Sequence, residues 1–122
     1  KNNDGGSIIN IASILAERVG LNLSSYASAK AALVQLTKSM ALELARSNIR
    51  VNALAPGYIL TEINQDFFNT DEGKSYIGKI PMKRLGLENE LDGALLLLAS
   101  NASSFMTGSV ITVDGGHVVN PL

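Results

Sequence analysis

A tyrosine and a lysine four residues apart, Tyr26 and Lys30, are the side chains whose types and spacing first suggest chemistry. Residues at positions i and i+4 share one face of a helix, so a phenol and an ammonium at this spacing lie side by side. A free phenol has a pKa of about 10, and a neighbouring ammonium stabilises the phenolate and lowers that value. Such a pair can act as a general acid and base in the interconversion of a carbonyl and an alcohol.

Two other segments carry groups suited to the same chemistry. Ser13 follows the apolar run that ends at Ala12, and its hydroxyl could hold a substrate oxygen while the phenol transfers the proton. A second apolar run ends at Pro56-Gly57, where a sharp turn can present backbone N–H and C=O groups to a flat polar ring. If both runs are neighbouring parallel strands, their carboxyl ends meet at the edge of the sheet where α/β folds bind ligands.

The polar residues could instead have purely structural roles. Ser13 could simply lead into a helix, Thr61 could be a helix N-cap, and we expect the Asn52 side chain to bond backbone groups within its strand. His117 is the only histidine. A serine hydrolase that used it would need a nucleophile turn such as Gly-x-Ser-x-Gly, which the sequence lacks. We therefore expect His117 to lie at the surface or in a subunit interface.

The elements that must position these residues follow from the pattern of apolar residues. Strand-like runs cover 7–12, 49–55 and 110–113, are rich in β-branched residues and are bounded by Gly, Pro or Asp. A helical pattern runs without Gly or Pro from Tyr26 to Ser47, with Ser24 or Ser25 as its cap, and a second spans about 88–100. Strands that alternate with helices predict an α/β fold with a parallel sheet.

The stretch Thr61–Gly86 interrupts this alternation. It is polar, has a helical pattern near Asp71–Ile80, and directly follows the end of a strand, where ligands bind. Its aromatic residues, Phe67, Phe68 and Tyr76, could line a substrate pocket or pack between helices, and the pattern favours neither.

Composition excludes several classes of function. The chain has 122 residues, enough for one domain, with a net charge of −1 and its Lys and Arg residues scattered, so we expect no nucleic acid or membrane partner. The absence of cysteine removes disulfides and thiolate metal sites. The longest apolar run, Ala94–Ala99, is far shorter than the roughly 20 residues that span a bilayer, and the first residues are polar rather than signal-like. We expect a soluble, cytoplasmic protein.

Taken together, the motifs resemble those of the short-chain dehydrogenases/reductases. Ser13, Tyr26-Ala27-Ser28-Ala29-Lys30 and Asn52-x-x-x-Pro56-Gly57-x-x-x-Thr61 are similar to the catalytic and nicotinamide-side motifs of that family. The closing segments 105–108 and 113–116 resemble its C-terminal pattern, so the resemblance covers essentially the whole chain. Members with a similar overall pattern include 3-oxoacyl-carrier-protein reductases and gluconate 5-dehydrogenase.

The resemblance implies a role for each motif. Ser13 would orient the substrate carbonyl, Tyr26 would be the acid and base, and Lys30 would assist it and bind the nicotinamide ribose. The segment from Pro56 through Gly57 to Ile59, with Thr61, would contact the nicotinamide and nearby phosphates of NAD or NADP, and residues 61–86 would form the substrate loop. No metal is implied, the substrate would be a small ketone or secondary alcohol, and a full-length protein would form a homo-oligomer, a dimer or a tetramer.

The same resemblance implies that this chain is the C-terminal half of a Rossmann-like, doubly wound parallel sheet. None of its eleven glycines forms the Gly-x-Gly turn that holds a dinucleotide pyrophosphate, so the N-terminal dinucleotide-binding half has no counterpart here. Lys1-Asn2-Asn3 would correspond to the loop that leaves the last helix of that half. Residues 1–122 are then one partial domain, either part of a longer enzyme or a truncated, non-catalytic product that serves only in assembly.

Overall fold

The computed structural model describes residues 5–121, so the predicted loop at Lys1–Asn3 lies outside the described residues. Three strands form one parallel sheet in the order β1-β2-β3. The strands are β1 (Gly6–Ile11), β2 (Ile49–Pro56) and β3 (Val110–Val113). The helices are α1 (Ser24–Leu44), α2 (Gln65–Phe68), α3 (Asp71–Gly78) and α4 (Asp92–Ala99). The predicted α/β fold, with three strands that alternate with helices, is confirmed.

The central strand β2 forms the core of the molecule. Its five residues from Val51 to Ala55 are all buried, as expected for a strand flanked on both edges and covered by helices. Helix α1 packs on β2, and α4 contacts both β1 and β2. The first strand enters the sheet beside Asn48, whose carbonyl accepts from the Gly6 N–H, and a Cβ on Gly5 would lie 2.0 Å from that oxygen. Only glycine fits there.

Arg50 of β2 forms hydrogen bonds to the end of α4. Its guanidinium donates hydrogen bonds to the carbonyl of Leu98, in the last turn of α4, and to the carbonyl of Ser100, which follows the helix. The same guanidinium donates to the Ser103 hydroxyl at 2.8 Å. The loop that leads from α4 towards β3 is therefore held against the central strand.

Two details of the helices differ from the sequence prediction. Ser24 and Ser25 lie inside the first turn of α1, and Leu23 occupies the N-cap position without a side-chain hydrogen bond, so the predicted serine cap is wrong. The second predicted helix is divided, because residues 88–91 form a 3-10 turn and α4 begins only at Asp92. The helical pattern near Asp71–Ile80 is confirmed as α3. Among residues 5–121, no helix combines the length and apolar character that crossing a bilayer requires.

Candidate active site

Helix α1 and strand β1 place Tyr26 and Lys30 beside each other. The Lys30 Nζ lies 5.5 Å from the centroid of the Tyr26 ring and donates a hydrogen bond to the carbonyl of Ile11 at 3.0 Å. Ile11 is the last residue of β1. Tyr26 is 47% exposed. Tyr26 and Lys30 are therefore neighbours, as their spacing predicts, and the Lys30 bond ties the first turns of α1 to the carboxyl end of the first strand.

Ser13 follows the same strand end. The Ala12 N–H donates to the carbonyl of Leu54 at 2.7 Å, which extends the pairing of β1 with β2 up to this point. Ser13 is 8% exposed, and its Oγ accepts from the Leu15 N–H at 3.1 Å, which caps a 3-10 turn. Ser13 therefore leads into a helical turn, which is the structural role considered for it above. The cap fixes the position of Oγ, while the hydroxyl hydrogen is bonded to no residue in the described range.

The segment after β2 turns sharply at the same edge of the sheet. The Gly57 N–H donates to the carbonyl of Val113, and a Cβ on Gly57 would lie 2.7 Å from the Cβ of Asp114, so a larger residue would force the ends of β2 and β3 apart. Ile59 then forms a parallel bridge with Gly86. The backbone N–H groups of residues 58 and 59 have no acceptor within residues 5–121. They are free donors beside the strand end.

Thr61 has a structural role in the next turn. Its hydroxyl accepts from the Asn64 N–H, and its own N–H donates to the Asn64 side chain at 2.8 Å. The Asn64 amide also donates to the carbonyl of Ile59. The N-cap position of α2 is occupied by Asn64 and not by Thr61, which lies three residues earlier.

Asn52 serves the fold, as predicted. The side chain is fully buried in β2, donates to the carbonyl of Met106 at 3.0 Å and accepts from the Ser109 N–H at 2.9 Å. It therefore anchors the loop that enters β3 to the central strand, and both halves of its amide are used.

A cavity of about 470 Å³ adjoins these strand ends. Its lining includes Ile14 and Leu15, which follow Ser13, and Tyr58, which follows the turn at Gly57. Tyr76 also lines it, and its ring stands edge-on to that of Tyr58 with the centroids 5.9 Å apart. Burial, followed by the nearby Tyr76 hydroxyl, raises the pKa of Tyr58. Ser13, Tyr26 and Lys30 are not among the residues that line this cavity.

The aromatic residues of the segment after β2 divide between the two predicted uses. Tyr76 lines the cavity, whereas Phe67 and Phe68 pack against each other with their ring centroids 5.2 Å apart. Phe68 is buried and contacts Tyr58 as well. Pocket lining and helix packing therefore both occur within one cluster.

His117 is partly exposed, and nothing in the structure tests the expected subunit interface. It lines the cavity with its ring 5.2 Å from that of Tyr58, and its Nδ1 is shielded from solvent without a hydrogen-bond partner among the described residues. Burial lowers the pKa of the imidazole; the Asp114 carboxylate opposes this effect, and Arg18 and Lys79 add to it. A single histidine in a C-terminal turn carries no sequence signal for this position, because only the folded chain brings 117 beside 58.

The known proteins that this chain is similar to include dehydrogenases and reductases. The family model described as enoyl-(acyl carrier protein) reductase matches residues 1–118. The 2-dehydro-3-deoxy-D-gluconate 5-dehydrogenase of Dickeya dadantii is 43% identical over 117 residues, which are 95% of this chain and 46% of that protein. The 3-oxoacyl-(acyl-carrier-protein) reductase of Chlamydia pneumoniae is 43% identical over 111 residues, 91% of this chain and 44% of that protein.

Solved structures share the fold. A gluconate 5-dehydrogenase from Burkholderia cenocepacia, solved in complex with NADP and tartrate, superposes with a TM-score of 0.89 at 39% identity, over 94% of this chain and 46% of that one. This chain therefore spans less than half the length of each of these three relatives. Its three-stranded parallel sheet is a partial Rossmann-like fold.

Proposed function

Because this chain belongs to the short-chain dehydrogenase/reductase family, we propose that it carries the catalytic residues of an NAD(P)-dependent oxidoreductase that interconverts a ketone and a secondary alcohol. One observation carries the proposal. The Lys30 Nζ lies 5.5 Å from the Tyr26 ring and also bonds the carbonyl of Ile11, two residues before Ser13. This contact supports a site in which a phenol, an ammonium and a hydroxyl act near one strand end, as proton transfer to a carbonyl oxygen requires.

The groups at this edge of the sheet fit a nicotinamide cofactor. The free N–H groups of Tyr58 and Ile59 suit the oxygen of a flat carboxamide, and the Lys30 ammonium suits ribose hydroxyls. We assign Pro56, Gly57, Ile59 and Thr61 to the nicotinamide side, with Tyr26 and Lys30 beside the ribose. The bound cofactor supplies hydride-transfer chemistry.

In alcohol oxidation, the Tyr26 oxygen takes the proton of the substrate hydroxyl, and in ketone reduction it returns that proton. The Ser13 hydroxyl, which accepts one hydrogen bond from the Leu15 N–H, donates its hydrogen to the same substrate oxygen. The Lys30 ammonium stabilises the negative charge that forms on the phenol oxygen. Positioned donors of this kind stabilise charge where it develops in the transition state.

Residues 61–86 are assigned as the substrate loop, because Tyr76 and Lys79 from this segment line the cavity. A homo-oligomer is proposed as well. Leu36 and Leu42 of α1 are 51% and 82% exposed, which leaves apolar surface that a second subunit would cover. A cytoplasmic location stays a prediction from the sequence.

The test is Tyr26→Phe in the protein that carries this chain. Loss of the phenol oxygen removes proton transfer, so we expect turnover of ketones and secondary alcohols to fall at least about a hundredfold. Affinity for NADH or NADPH should stay within about threefold, because Lys30 and the backbone donors remain, a difference of under 1 kcal/mol. Steady-state kinetics and cofactor fluorescence provide the two measurements.

Ser39→Ala, at an exposed position on the same helix outside the Tyr26–Lys30 motif, is the matched control and should leave both quantities unchanged. Turnover retained by Tyr26→Phe would remove Tyr26 from its proposed role. A protein that binds neither NADH nor NADPH would favour the alternative of a non-catalytic chain that serves in assembly.

A further inference from the structure

The three side chains proposed for catalysis come from two different elements. Ser13 follows β1, whereas Tyr26 and Lys30 lie on α1. The distance between the serine hydroxyl and the phenol therefore depends on how far α1 is advanced along β1. Helix α1 packs on β2 and on the 3-10 turn at residues 14–16. Among residues 5–121, two side-chain hydrogen bonds join it to β1 itself.

One of these two hydrogen bonds has no part in the proposed chemistry. The Asn10 Nδ2 donates to the Thr37 Oγ1 at 2.9 Å, and the Thr37 hydroxyl donates in turn to the carbonyl of Leu33 at 2.8 Å. Thr37 is completely buried. Because the Leu33 carbonyl takes the hydroxyl hydrogen, the Thr37 oxygen can serve Asn10 only as an acceptor, so the direction of the bond is fixed.

The spacing of the two bonds aligns the helix with the strand. They involve consecutive residues of β1, since the other bond runs from the Lys30 Nζ to the carbonyl of Ile11. Thr37 follows Lys30 by two helical turns, about 10 Å along the axis, and lies on the same face. Two attachments this far apart restrict both the sliding and the tilting of α1 relative to β1.

The two attachments differ in stiffness. The Lys30 ammonium lies at the end of a flexible four-carbon chain, which can follow small movements of the helix. The Thr37 side chain is short and β-branched, with a restricted χ1 angle, so its hydroxyl moves with the helix backbone. Sliding of α1 would separate buried polar atoms from their partners, which is costly, whereas purely apolar contacts tolerate small displacements. The Asn10–Thr37 bond is therefore the stricter of the two.

We propose that Asn10 and Thr37 are positioning residues, whose hydrogen bond sets how far α1 is advanced along β1. The bond thereby aligns the phenol and the ammonium on the helix with the serine hydroxyl after the strand. The proposal rests on the catalytic roles proposed above for those three groups and adds the contact that holds them in register.

The variants remove this bond from either side. Thr37→Val keeps the shape of the side chain and removes the hydroxyl, and Thr37→Ser, which keeps the hydroxyl, is the conservative variant. Asn10→Ala removes the amide but leaves the Thr37 hydroxyl bonded to Leu33, so it decides the outcome if Thr37→Val does not fold. Thr107→Val is the matched control, because the Thr107 hydroxyl accepts from the Val51 N–H near the start of β2, at the opposite end from the candidate site.

The kinetic test uses the protein that carries this chain, saturated with NAD or NADP, with gluconate and cyclohexanol as the alcohols. We expect Thr37→Val and Asn10→Ala to lower kcat about ten- to a hundredfold, the effect of displacing reacting groups by about 1 Å or less. The KM of the alcohol should stay within about threefold, because the groups that bind it remain. Thr37→Ser should keep kcat within about twofold of the unmodified protein.

The control separates positioning from stability. Thr107→Val should lower the urea midpoint, since it also removes a hydrogen bond, and leave kcat unchanged. A kcat that stays within about twofold in both Thr37→Val and Asn10→Ala overturns the proposal. A loss of kcat that Thr107→Val shares overturns it as well, because the effect would then follow stability alone.

A structural measurement separates this proposal from the function on which it rests. If neither alcohol is oxidised, the dehydrogenase assignment fails, and crystal structures of the variants then test the alignment alone. The distance from the Lys30 Nζ to the Ile11 carbonyl oxygen is 3.0 Å. We expect it to exceed about 3.5 Å, the limit of a hydrogen bond, in Thr37→Val and Asn10→Ala but not in Thr37→Ser. An unchanged distance in both variants that lack the bond overturns the proposal.

Discussion

At the scale of single residues, the sequence predicted that Tyr26 and Lys30 lie side by side, but not the contacts that surround them. Tyr26 and Lys30 could be paired from their spacing alone, because helix geometry fixes which residues share a face. The bond from Lys30 to the carbonyl of Ile11 could not be predicted, because it depends on how α1 packs against β1. The position of His117 beside Tyr58 could not be predicted for the same reason, since its neighbours Tyr58 and Arg18 lie about 60 and 100 residues away in the sequence.

Asn52 belongs to a motif that resembles a family motif, but its contacts are structural. Replacing it tests that structural role. Asn52→Ala would leave the Met106 carbonyl and the Ser109 N–H without partners in a buried site, and each such group costs about 1–3 kcal/mol. We expect the free energy of unfolding to fall by about 2–4 kcal/mol in urea denaturation. Asn69→Ala, at an exposed position, should change it by less than about 0.5 kcal/mol. A loss below about 1 kcal/mol in Asn52→Ala would contradict the structural role.

At the scale of elements, the strands were predicted closely and the helix ends were not. All three strands fall within one or two residues of the predicted runs, because β-branched residues between Gly, Pro and Asp have few alternatives. The end of a helix depends on individual hydrogen bonds. Residues 88–91 form a 3-10 turn rather than the start of α4, and Glu90 there accepts from the Leu87 N–H and from Arg84. The pattern of apolar residues does not predict those hydrogen bonds.

The Arg84–Glu90 pair makes the stability of this turn depend on pH. The Arg84 guanidinium donates two hydrogen bonds to Glu90 and, with the Leu87 N–H, lowers the pKa of that carboxyl from 4.5 to about 2. A carboxyl with a pKa that is lower in the folded chain stabilises the fold above its unfolded pKa. That contribution disappears as the pH falls from about 4.5 towards about 2.

We therefore expect Glu90→Gln to lower the urea midpoint slightly at pH 7, since both groups are exposed, and the difference from the unmodified protein to shrink as the pH falls through this window. Glu62→Gln, at an exposed position outside any ion pair of the described chain, should show no such convergence. A difference that is the same at pH 7 and pH 3 would show that the carboxylate charge contributes nothing to the turn.

At the scale of the whole molecule, the groups proposed for the nicotinamide side of a dinucleotide site are not accompanied by a pyrophosphate turn. The pyrophosphate of such cofactors is held by a Gly-rich turn at a helix N-terminus, and these 122 residues contain no Gly-x-Gly. We expect a polypeptide of these residues alone to bind NADH and NADPH with a Kd weaker than about 1 mM. Titration of the cofactor fluorescence measures this.

The control is a longer polypeptide in which the same residues follow a Gly-rich βαβ unit, and it should bind at least about tenfold more tightly, a gain of about 1.4 kcal/mol. Saturable micromolar binding by the 122 residues alone would mean that the pyrophosphate is held by groups not identified above.

The position of β1 at the margin of the sheet has a further consequence. Within the described residues it pairs with β2 along one side only, so the backbone donors and acceptors on its other side are open. Parallel pairing requires that the two backbones align. It does not require that the two strands belong to the same chain. A separately produced polypeptide with a compatible strand could therefore dock along β1, so that the site would be reconstituted by fragment complementation from two independent chains.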